Sequence, residues 1–246
     1  MKKTNLIITF AITAILTSLV SCSKQDVTGT WELTIFEKDG IAQELCIASL
    51  TLENEDKVLK AFGNSGVNNY SGEIKLSGKK AKTVKELVNT KMRGPEKALE
   101  FESLFLKAMN EISSMEANKK TGELIIKSKS AIMKFTRATL TNKKWTLSSS
   151  LEVNDKTPFI IFDKEGKLNG FTGLNIIQAK YETSDNDSLI ITPEVATLVS
   201  GDEEISKVET DFLQNLYKTD SYKLKGNQLI LSDKDKNQLL TFELSR

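Results

Sequence analysis

The sequence predicts an α+β protein of two tandem domains, each a mainly antiparallel, partly barrel-like sheet with one packed helix. Three observations support this prediction. The chain repeats itself at an interval of 107 residues. Each repeat contains short, often alternating apolar runs bounded by Gly, Asn, Asp or Ser, which are typical of strands. Each repeat also contains one stretch with apolar residues three and four positions apart, which is typical of a helix.

The duplication is visible without gaps between residues 63–135 and 170–242. Sixteen of the 73 aligned positions are identical, where about four or five are expected by chance for this alphabet. The identical pairs include Gly66/Gly173, Asn68/Asn175, Thr90/Thr197, Gly94/Gly201, Glu102/Glu209 and Phe105/Phe212. Trp31 and Trp145 also correspond, and the first copy is seven residues longer between its tryptophan and its glycine cluster. The halves are therefore predicted to share one topology.

Each copy begins with a predicted strand that carries the tryptophan. In the first copy Trp31, Leu33 and Ile35 alternate with Glu32, Thr34 and Phe36, and in the second the strand is Lys144 to Leu147. Further strands are predicted at 48–52, 58–62, 71–76, 124–127 and 131–136, and then at 159–163, 167–171, 176–181, 189–192, 222–225, 228–232 and 238–243.

One helix is predicted within each copy. The first begins near Pro95, where a missing N–H costs no helical hydrogen bond, and its apolar stripe is Leu99, Phe101, Phe105, Ala108, Met109 and Ile112. The second follows Asp202, Glu203 and Glu204, which favour the positive end of the helix dipole, and its stripe is Ile205, Val208, Phe212, Leu213 and Leu216. We place the domains at 28–139 and 140–246. Because residues 138–142 contain neither Pro nor Gly, the domains are expected to lie close together.

The N-terminus is predicted to be a lipoprotein signal peptide, residues 1–21, followed by a lipidated tether, residues 22–27. Lys2 and Lys3 precede an uncharged run at 6–20, which is too short to span a bilayer. The run ends in Leu19-Val20-Ser21-Cys22, which resembles the lipobox of bacterial lipoproteins. The resemblance implies that Cys22 is acylated and anchors the chain in the membrane; an ordinary signal peptide with a chance cysteine is the alternative. Because Ser23 replaces the inner-membrane retention aspartate, we expect the outer membrane, with the periplasmic or surface face left open.

Composition excludes several chemistries. The chain has no histidine, so a His-based triad, a His-ligated zinc and a His proton shuttle are excluded. With 34 basic and 33 acidic residues, it has no basic surplus for nucleic acid. No cofactor and no metal are expected. Cys46 is predicted to share the core-facing side of a strand with Ala48, Leu50 and Leu52 rather than to act as a nucleophile.

Three motifs follow one another in each copy. The first copy has 66–74 (GVNNYSGEI), 90–94 (TKMRG) and 102–105 (ESLF); the second has 173–181 (GLNIIQAKY), 197–201 (TLVSG) and 209–212 (ETDF). Their order, with the tryptophan strand before them and a Leu-rich hairpin after them, resembles the META domain of HslJ-type heat-inducible lipoproteins. The resemblance covers nearly all of the mature chain.

Both copies depart from that family at its cysteine pair. The aligned positions hold Val67 with Gly94 and Leu174 with Gly201. The resemblance implies that the two positions of each pair are neighbours in space. Loss of both cysteines also excludes a thiol redox role for the motif.

The motif residues are predicted to be structural. Gly66 with Asn68, and Gly173 with Asn175, are expected to form tight connections in which the asparagine has a structural role, since asparagine tolerates left-handed geometry and bonds local backbone; ligand binding is the alternative. Thr90 and Thr197 are expected to bond the same turns. Glu102 and Glu209 are expected to accept hydrogen bonds from loop backbone, although a desolvated carboxylate there could act as a general acid or base.

We therefore expect a non-enzymatic lipoprotein of the cell envelope, held to the membrane by the lipid on Cys22. It binds an unknown envelope protein partner, and the resemblance implies a role under stress. The alternative is a carrier of a small apolar or acyl ligand in a barrel cavity, which requires an apolar pocket larger than roughly 300 Å³.

Overall fold

A computed structural model describes residues 26–118, 120–148, 157–184 and 187–245. The predicted signal peptide and Cys22 lie outside these residues. The described chain forms two antiparallel sheets, each with one helix, in the tandem arrangement that the sequence predicts. Neither helix is long and apolar enough to cross a bilayer, within the residues that the structure describes.

The two domains contain corresponding elements. The first domain consists of β1 (Gly29–Lys38), β2 (Ile41–Ala42), β3 (Ser49–Glu55), β4 (Val58–Asn64), β5 (Asn69–Ser77), β6 (Lys80–Asn89), α1 (Glu96–Asn110), β7 (Ile112–Asn118), β8 (Glu123–Ser128) and β9 (Ala131–Arg137). The second consists of β10 (Lys144–Leu147), β11 (Phe159–Phe162), β12 (Lys167–Phe171), β13 (Ile176–Thr183), β14 (Leu189–Ala196), α2 (Glu203–Tyr217), β15 (Ser221–Lys225), β16 (Gln228–Ser232) and β17 (Gln238–Leu244).

The first sheet is a closed barrel and the second an open half-barrel. Strand β1 pairs with both β3 and β9, and this closes the first sheet. The second sheet runs β14-β13-β12-β11-β10-β17-β16-β15, and its edge strands approach at one bridge between Ser188 and Ser221. The first domain has its weakest pairing at the same place, where β6 meets β7 at Lys80 and Ser114. The duplicated halves therefore share one strand order and differ in how completely the sheet closes.

Aromatic side chains fill the interior of each sheet. Trp31, Phe36, Phe105 and Phe135 are at most 2% exposed in the first domain. In the second, Trp145, Phe162 and Phe242 are equally buried. Each tryptophan also donates its indole N–H to a backbone carbonyl just before its strand, Val27 at 2.9 Å and Leu140 at 2.9 Å. The helices pack on this core through faces that include Phe105 and Phe212, because neither a sheet nor a helix can cover its apolar face alone.

The predicted alternation of β1 is wrong in its second half. A bulge between Leu33 and Ile35 shifts the register with β9. An extra residue in one strand inverts the alternation beyond it. As a result Phe36 is buried in the core and Ile35 is exposed.

Three strands were not predicted, the two-residue β2 and the longer β6 and β7, and the first helix ends earlier than its apolar stripe suggests. Strands β6 and β7 are rich in Lys, Glu and Ser, because one face of each is solvated. Helix α1 ends at Asn110, and Ile112 is the first residue of β7. Cys46 precedes β3 rather than lying on a strand with Leu50; it is half-buried and packs against the first core.

The gapless alignment does not match the structure in the last hairpin of each domain, β8–β9 and β16–β17. Leu124 pairs with Phe135 in the first domain, whereas Leu229, not Leu231, pairs with Phe242 in the second. The turn between β15 and β16 is two residues long, with Gly226 at φ +60°, which suits a tight hairpin. A longer turn before β17 restores the register. Three of the sixteen identities, Leu124/Leu231, Lys127/Lys234 and Lys129/Lys236, are therefore coincidental.

The two domains are joined through that tight turn. Thr30, Ser49 and Thr51 lie on the outer face of the first barrel, yet each is at most 7% exposed. Thr30 donates to the Leu224 carbonyl at 2.6 Å, Ser49 donates to Asn227 Oδ1 at 2.9 Å, and Thr51 Oγ1 accepts from the Gly226 N–H at 2.8 Å. At the edge, a hydrogen bond from Lys223 lowers the pKa of the Glu53 carboxyl. The expectation that the copies lie close together is therefore confirmed.

Candidate functional site

The predicted motif residues meet at one end of each sheet. Three segments converge there: the β4–β5 connection, the β6–α1 loop and the second turn of α1, with their equivalents in the second domain. We call the first group, Ser65, Asn68, Thr90 and Glu102, the first cluster. The second cluster is Thr172, Asn175, Thr197 and Glu209.

Asn68 holds the three segments of the first domain together. Its Oδ1 accepts from Thr90 Oγ1 at 2.8 Å and from the Met92 N–H at 2.7 Å, both in the β6–α1 loop. Its Nδ2 donates to Glu102 Oε1 at 2.8 Å. Asn68 is 2% exposed, so its side chain forms its hydrogen bonds within the protein and not with solvent.

Glu102 accepts four hydrogen bonds. Oε2 receives the Ser65 hydroxyl at 2.6 Å and the Asn68 backbone N–H at 2.7 Å, while Oε1 receives the amides of Asn68 and Asn89 at 2.8 and 2.7 Å. Burial raises the pKa of Glu102, but the hydrogen bonds from Ser65 and the 67–68 backbone outweigh it and lower the pKa overall. The carboxylate is therefore anionic at neutral pH and its lone pairs are engaged.

The second cluster repeats this arrangement with fewer donors. Asn175 Oδ1 accepts from Thr197 Oγ1 at 2.7 Å and from the Val199 N–H at 2.8 Å. Its Nδ2 lies 3.0 Å from both oxygens of Glu209. Thr172 donates its hydroxyl to Glu209 Oε1 at 2.5 Å and accepts the Asn175 N–H at 2.8 Å. Glu209 is half-buried, whereas Glu102 is 4% exposed.

Two members of the clusters were not predicted from the sequence. Ser65 and Thr172 each donate a hydroxyl to the carboxylate of their domain. They are aligned with each other, but a count of identical residues does not include a serine aligned with a threonine. Asn89 donates to Glu102, and its aligned residue is Ala196. No signal in the repeat could have identified Asn89, since the second copy lacks it.

The left-handed residue of each connection is the glycine and not the asparagine. Gly66 has φ +116° and Gly173 has φ +99°, whereas neither Asn68 nor Asn175 has a positive φ. A Cβ on Gly66 would also lie 3.2 Å from the Phe101 ring and 3.3 Å from Cys46. The left-handed geometry that asparagine tolerates is therefore not used here, and the asparagine acts through its side chain.

The positions of the lost cysteine pair adjoin in both domains, as the resemblance implies. A Cβ on Gly94 would lie 2.7–2.8 Å from the methyl groups of Val67. A Cβ on Gly201 would lie 3.2 Å from Leu174 and 2.8 Å from Ile205. Apolar packing against a glycine therefore takes the place of the cross-link.

Apolar side chains are exposed beside each cluster. They are Val88 and Met92 in the first domain and Ile176, Val195, Leu198 and Val199 in the second, each at least 57% exposed. We call these two sets the apolar rims. Val88 aligns with Val195 and Met92 with Val199, so exposure at these positions is a property of both copies.

The clusters offer little to a cofactor or metal. Within the described ranges, no group of three or more His, Cys, Asp or Glu residues is arranged to hold a metal ion. Clefts of about 460 and 480 Å³ flank the interdomain turn, and a groove of about 510 Å³ lies between β6 and α1. These clefts lie outside the sheets and not within their interiors.

Comparison with known proteins agrees with these motifs. The model of the META domain matches residues 25–139 and again residues 138–246. A solved structure, the NMR structure of the protein from Burkholderia xenovorans, is 22% identical, covers 45% of this chain and 82% of its own, and has a TM-score of 0.40. No curated protein matches the chain. The chain therefore belongs to the META domain family and contains two copies of that domain in tandem.

Proposed function

We propose that the chain is a non-enzymatic lipoprotein of the cell envelope, anchored in the outer membrane through Cys22, whose two META domains bind a protein partner under envelope stress. One observation carries the proposal. In both domains the polar motif residues hydrogen bond to one another, while the apolar rim beside them is exposed.

The hydrogen bonds support a role other than catalysis. A general acid or base needs a carboxyl that can reach a substrate proton, but Glu102 already accepts four donors. Its lowered pKa also makes it a weak base and removes the proton that a general acid needs. Glu209 is engaged by Thr172 and Asn175.

The apolar rims support a binding role. Large exposed apolar patches on monomeric proteins mark interaction sites, and the second rim places four exposed apolar side chains beside one cluster. The Asn68 and Asn175 side chains bind the backbone of Met92 and Val199, so each cluster holds a rim residue in place. A rim whose backbone is fixed loses little conformational entropy when it binds.

The carrier alternative is less well supported. A small apolar ligand needs an apolar cleft or cavity larger than roughly 300 Å³, and aromatic side chains fill the interiors of both sheets, including Phe105, Phe135 and Phe242. The cleft of about 460 Å³ beside the interdomain turn lies outside the sheets, and charged Glu32 and Lys143 share its lining with apolar residues such as Leu45 and Ile47.

Site-specific photocrosslinking in intact cells tests the binding role. A photoreactive residue at Met92 or Leu198 is expected to give one discrete adduct, whereas the same residue at the exposed Lys164 gives none. The adduct should become more abundant after heat stress. The same adduct pattern from all three positions, or no adduct at either rim, would contradict the proposal.

Acyl labelling tests the anchor independently. The wild-type chain should incorporate labelled palmitate and sediment with outer membranes, and Cys22→Ala should do neither. Equal labelling of both chains would exclude lipidation at Cys22 and leave the rim result to be judged separately.

A further inference from the structure

The chain enters the first barrel at a fixed point. Thr28 donates its backbone N–H and its hydroxyl to Asp26 at 3.0 and 2.6 Å. The Arg137 guanidinium donates to the Thr28 carbonyl and lies 3.8 Å from the centre of the Trp31 ring. The indole N–H of Trp31 donates to Val27 at 2.9 Å. Residues 26–28 are therefore fastened to the end of the barrel at which β1 begins.

This end must lie near the membrane if Cys22 carries the anchor. Three residues, 23–25, lie between Cys22 and Asp26, the first residue of the described chain. Fully extended, the stretch from Cys22 to Asp26 spans about 14 Å. The inference below therefore rests on the proposed lipoprotein function.

Lysines are concentrated at this same end. Because the strands alternate in direction, the β5–β6 turn lies at the end where β1 begins. This hairpin carries four exposed lysines, Lys75, Lys79, Lys80 and Lys82, which we call the lysine turn. Lys79 pairs with Glu116 at 2.5 Å. The neighbouring β7–β8 turn adds Lys120.

The lysine turn contains a pairing that disfavours folding. Lys75 lies directly opposite Lys82 in the β5–β6 register. Like charges in directly opposed positions of an antiparallel pair destabilise it. Sequence choices that break a local rule are expected where function requires them.

The second domain provides an internal comparison. Its aligned hairpin has Glu182 at the position of Lys75, Asp187 at that of Lys80 and no lysine between them. Charge at this hairpin therefore differs in sign between two domains that share the fold. The lysines accompany the domain that carries the tether.

We infer that the lysine turn binds anionic lipid headgroups of the membrane that holds the N-terminal lipid. The barrel end that carries the turn then lies against the bilayer. Lysines near an anionic membrane surface each strengthen association by about fivefold.

Amine labelling of the full lipidated protein tests this. The protein is reconstituted on vesicles of phosphatidylcholine alone or mixed with phosphatidylglycerol, and an impermeant acylating reagent is followed by mass spectrometry. On the anionic vesicles, labelling at Lys75, Lys79, Lys80 and Lys82 is expected to fall about fivefold, while the exposed Lys164 and Lys207 of the second domain are unchanged. High salt should restore labelling, because screening shortens from about 10 Å at 0.1 M to about 3 Å at 1 M.

A matched pair of variants locates the effect. Lys79→Glu/Lys80→Glu should abolish the protection of Lys75 and Lys82, and Lys164→Glu/Lys207→Glu should preserve it at the same net charge. Equal loss of protection in the two variants, or equal labelling of the wild-type lysines on both kinds of vesicle, would overturn the inference. If the protein binds both kinds of vesicle and its lysines stay unprotected on the anionic vesicles as well, the inference fails while the anchor stands. If it binds neither vesicle, the lipoprotein proposal fails and the inference fails with it.

Discussion

Asn68 donates its side-chain amide to Glu102 at 2.8 Å, and 107 residues later Asn175 makes the same contact with Glu209 at 3.0 Å. Each contact spans 34 residues and joins a loop to a helix. Two domains whose aligned segments are mostly different in sequence keep this pair. The pair therefore holds the β6–α1 loop, or its equivalent, on the end of the sheet in both.

Replacement of Glu102 by glutamine should destabilise the first domain by about 2–3 kcal/mol. Glutamine offers one acceptor oxygen and one NH₂ group, so at least one buried donor among Ser65, Asn68 and Asn89 would face another donor. Glu209→Gln is the matched variant and should cost about 1 kcal/mol or less, because Glu209 is half-buried and has fewer donors. Chemical denaturation measures the loss, and hydrogen exchange assigns it to a domain. Equal losses of unfolding free energy in the two variants would contradict the expectation that the more deeply buried carboxylate contributes more.

Stability should fall in acid partly through Glu102. Its folded pKa lies below its ordinary value of 4.5. A depressed folded pKa means that the contribution is present above the unfolded pKa and is lost as the pH falls through the folded pKa. The difference in unfolding free energy between wild type and Glu102→Gln should therefore shrink below pH 4.5. Denaturation midpoints measured from neutral pH downward check this, and a constant difference would refute it.

A disulfide should form between cysteines placed at positions 67 and 94. A Cβ at position 94 would lie 3.4 Å from the Val67 Cβ, close to the range of about 3.5–4.5 Å found in disulfides. Oxidised Val67→Cys/Gly94→Cys, made in a Cys46→Ser background, should be about 2–4 kcal/mol more stable than its reduced form. Denaturation with and without reductant measures this. Failure to oxidise would show that the two backbones stand too far apart.

Thr51→Val should weaken the junction between the domains. Valine keeps the shape of threonine but cannot accept the Gly226 N–H, which would remain half-buried without its partner. The expected loss is about 1–3 kcal/mol. The control is Thr34→Val, a change on the same outer surface at an exposed residue. Separation of one unfolding transition into two would mark the loosened junction, and identical behaviour of the two variants would argue against it.

Much of the candidate site could be predicted from the repeat, and some of it could not. Asn68, Thr90 and Glu102 share residue types with Asn175, Thr197 and Glu209, so comparison of the copies identifies them. This comparison does not identify Asn89, because the residue aligned with it in the second copy is Ala196. The orientation of the asparagine side chain was also beyond prediction, since backbone geometry in the connection is set by Gly66 and the asparagine is free to serve the carboxylate.

The sequence by itself determined the duplication, most of the strands, the presence of one helix in each copy and the family, because these depend on residue order and on side-chain periods within short segments. Only the tertiary structure decided that Phe36 and not Ile35 enters the core, that the first sheet closes, and that Thr30, Ser49 and Thr51 are buried on an outer face. A bulge is set by the register of two distant strands. Burial of an outward hydroxyl depends on which surface packs over it, and here that surface is a turn more than 170 residues further along the chain.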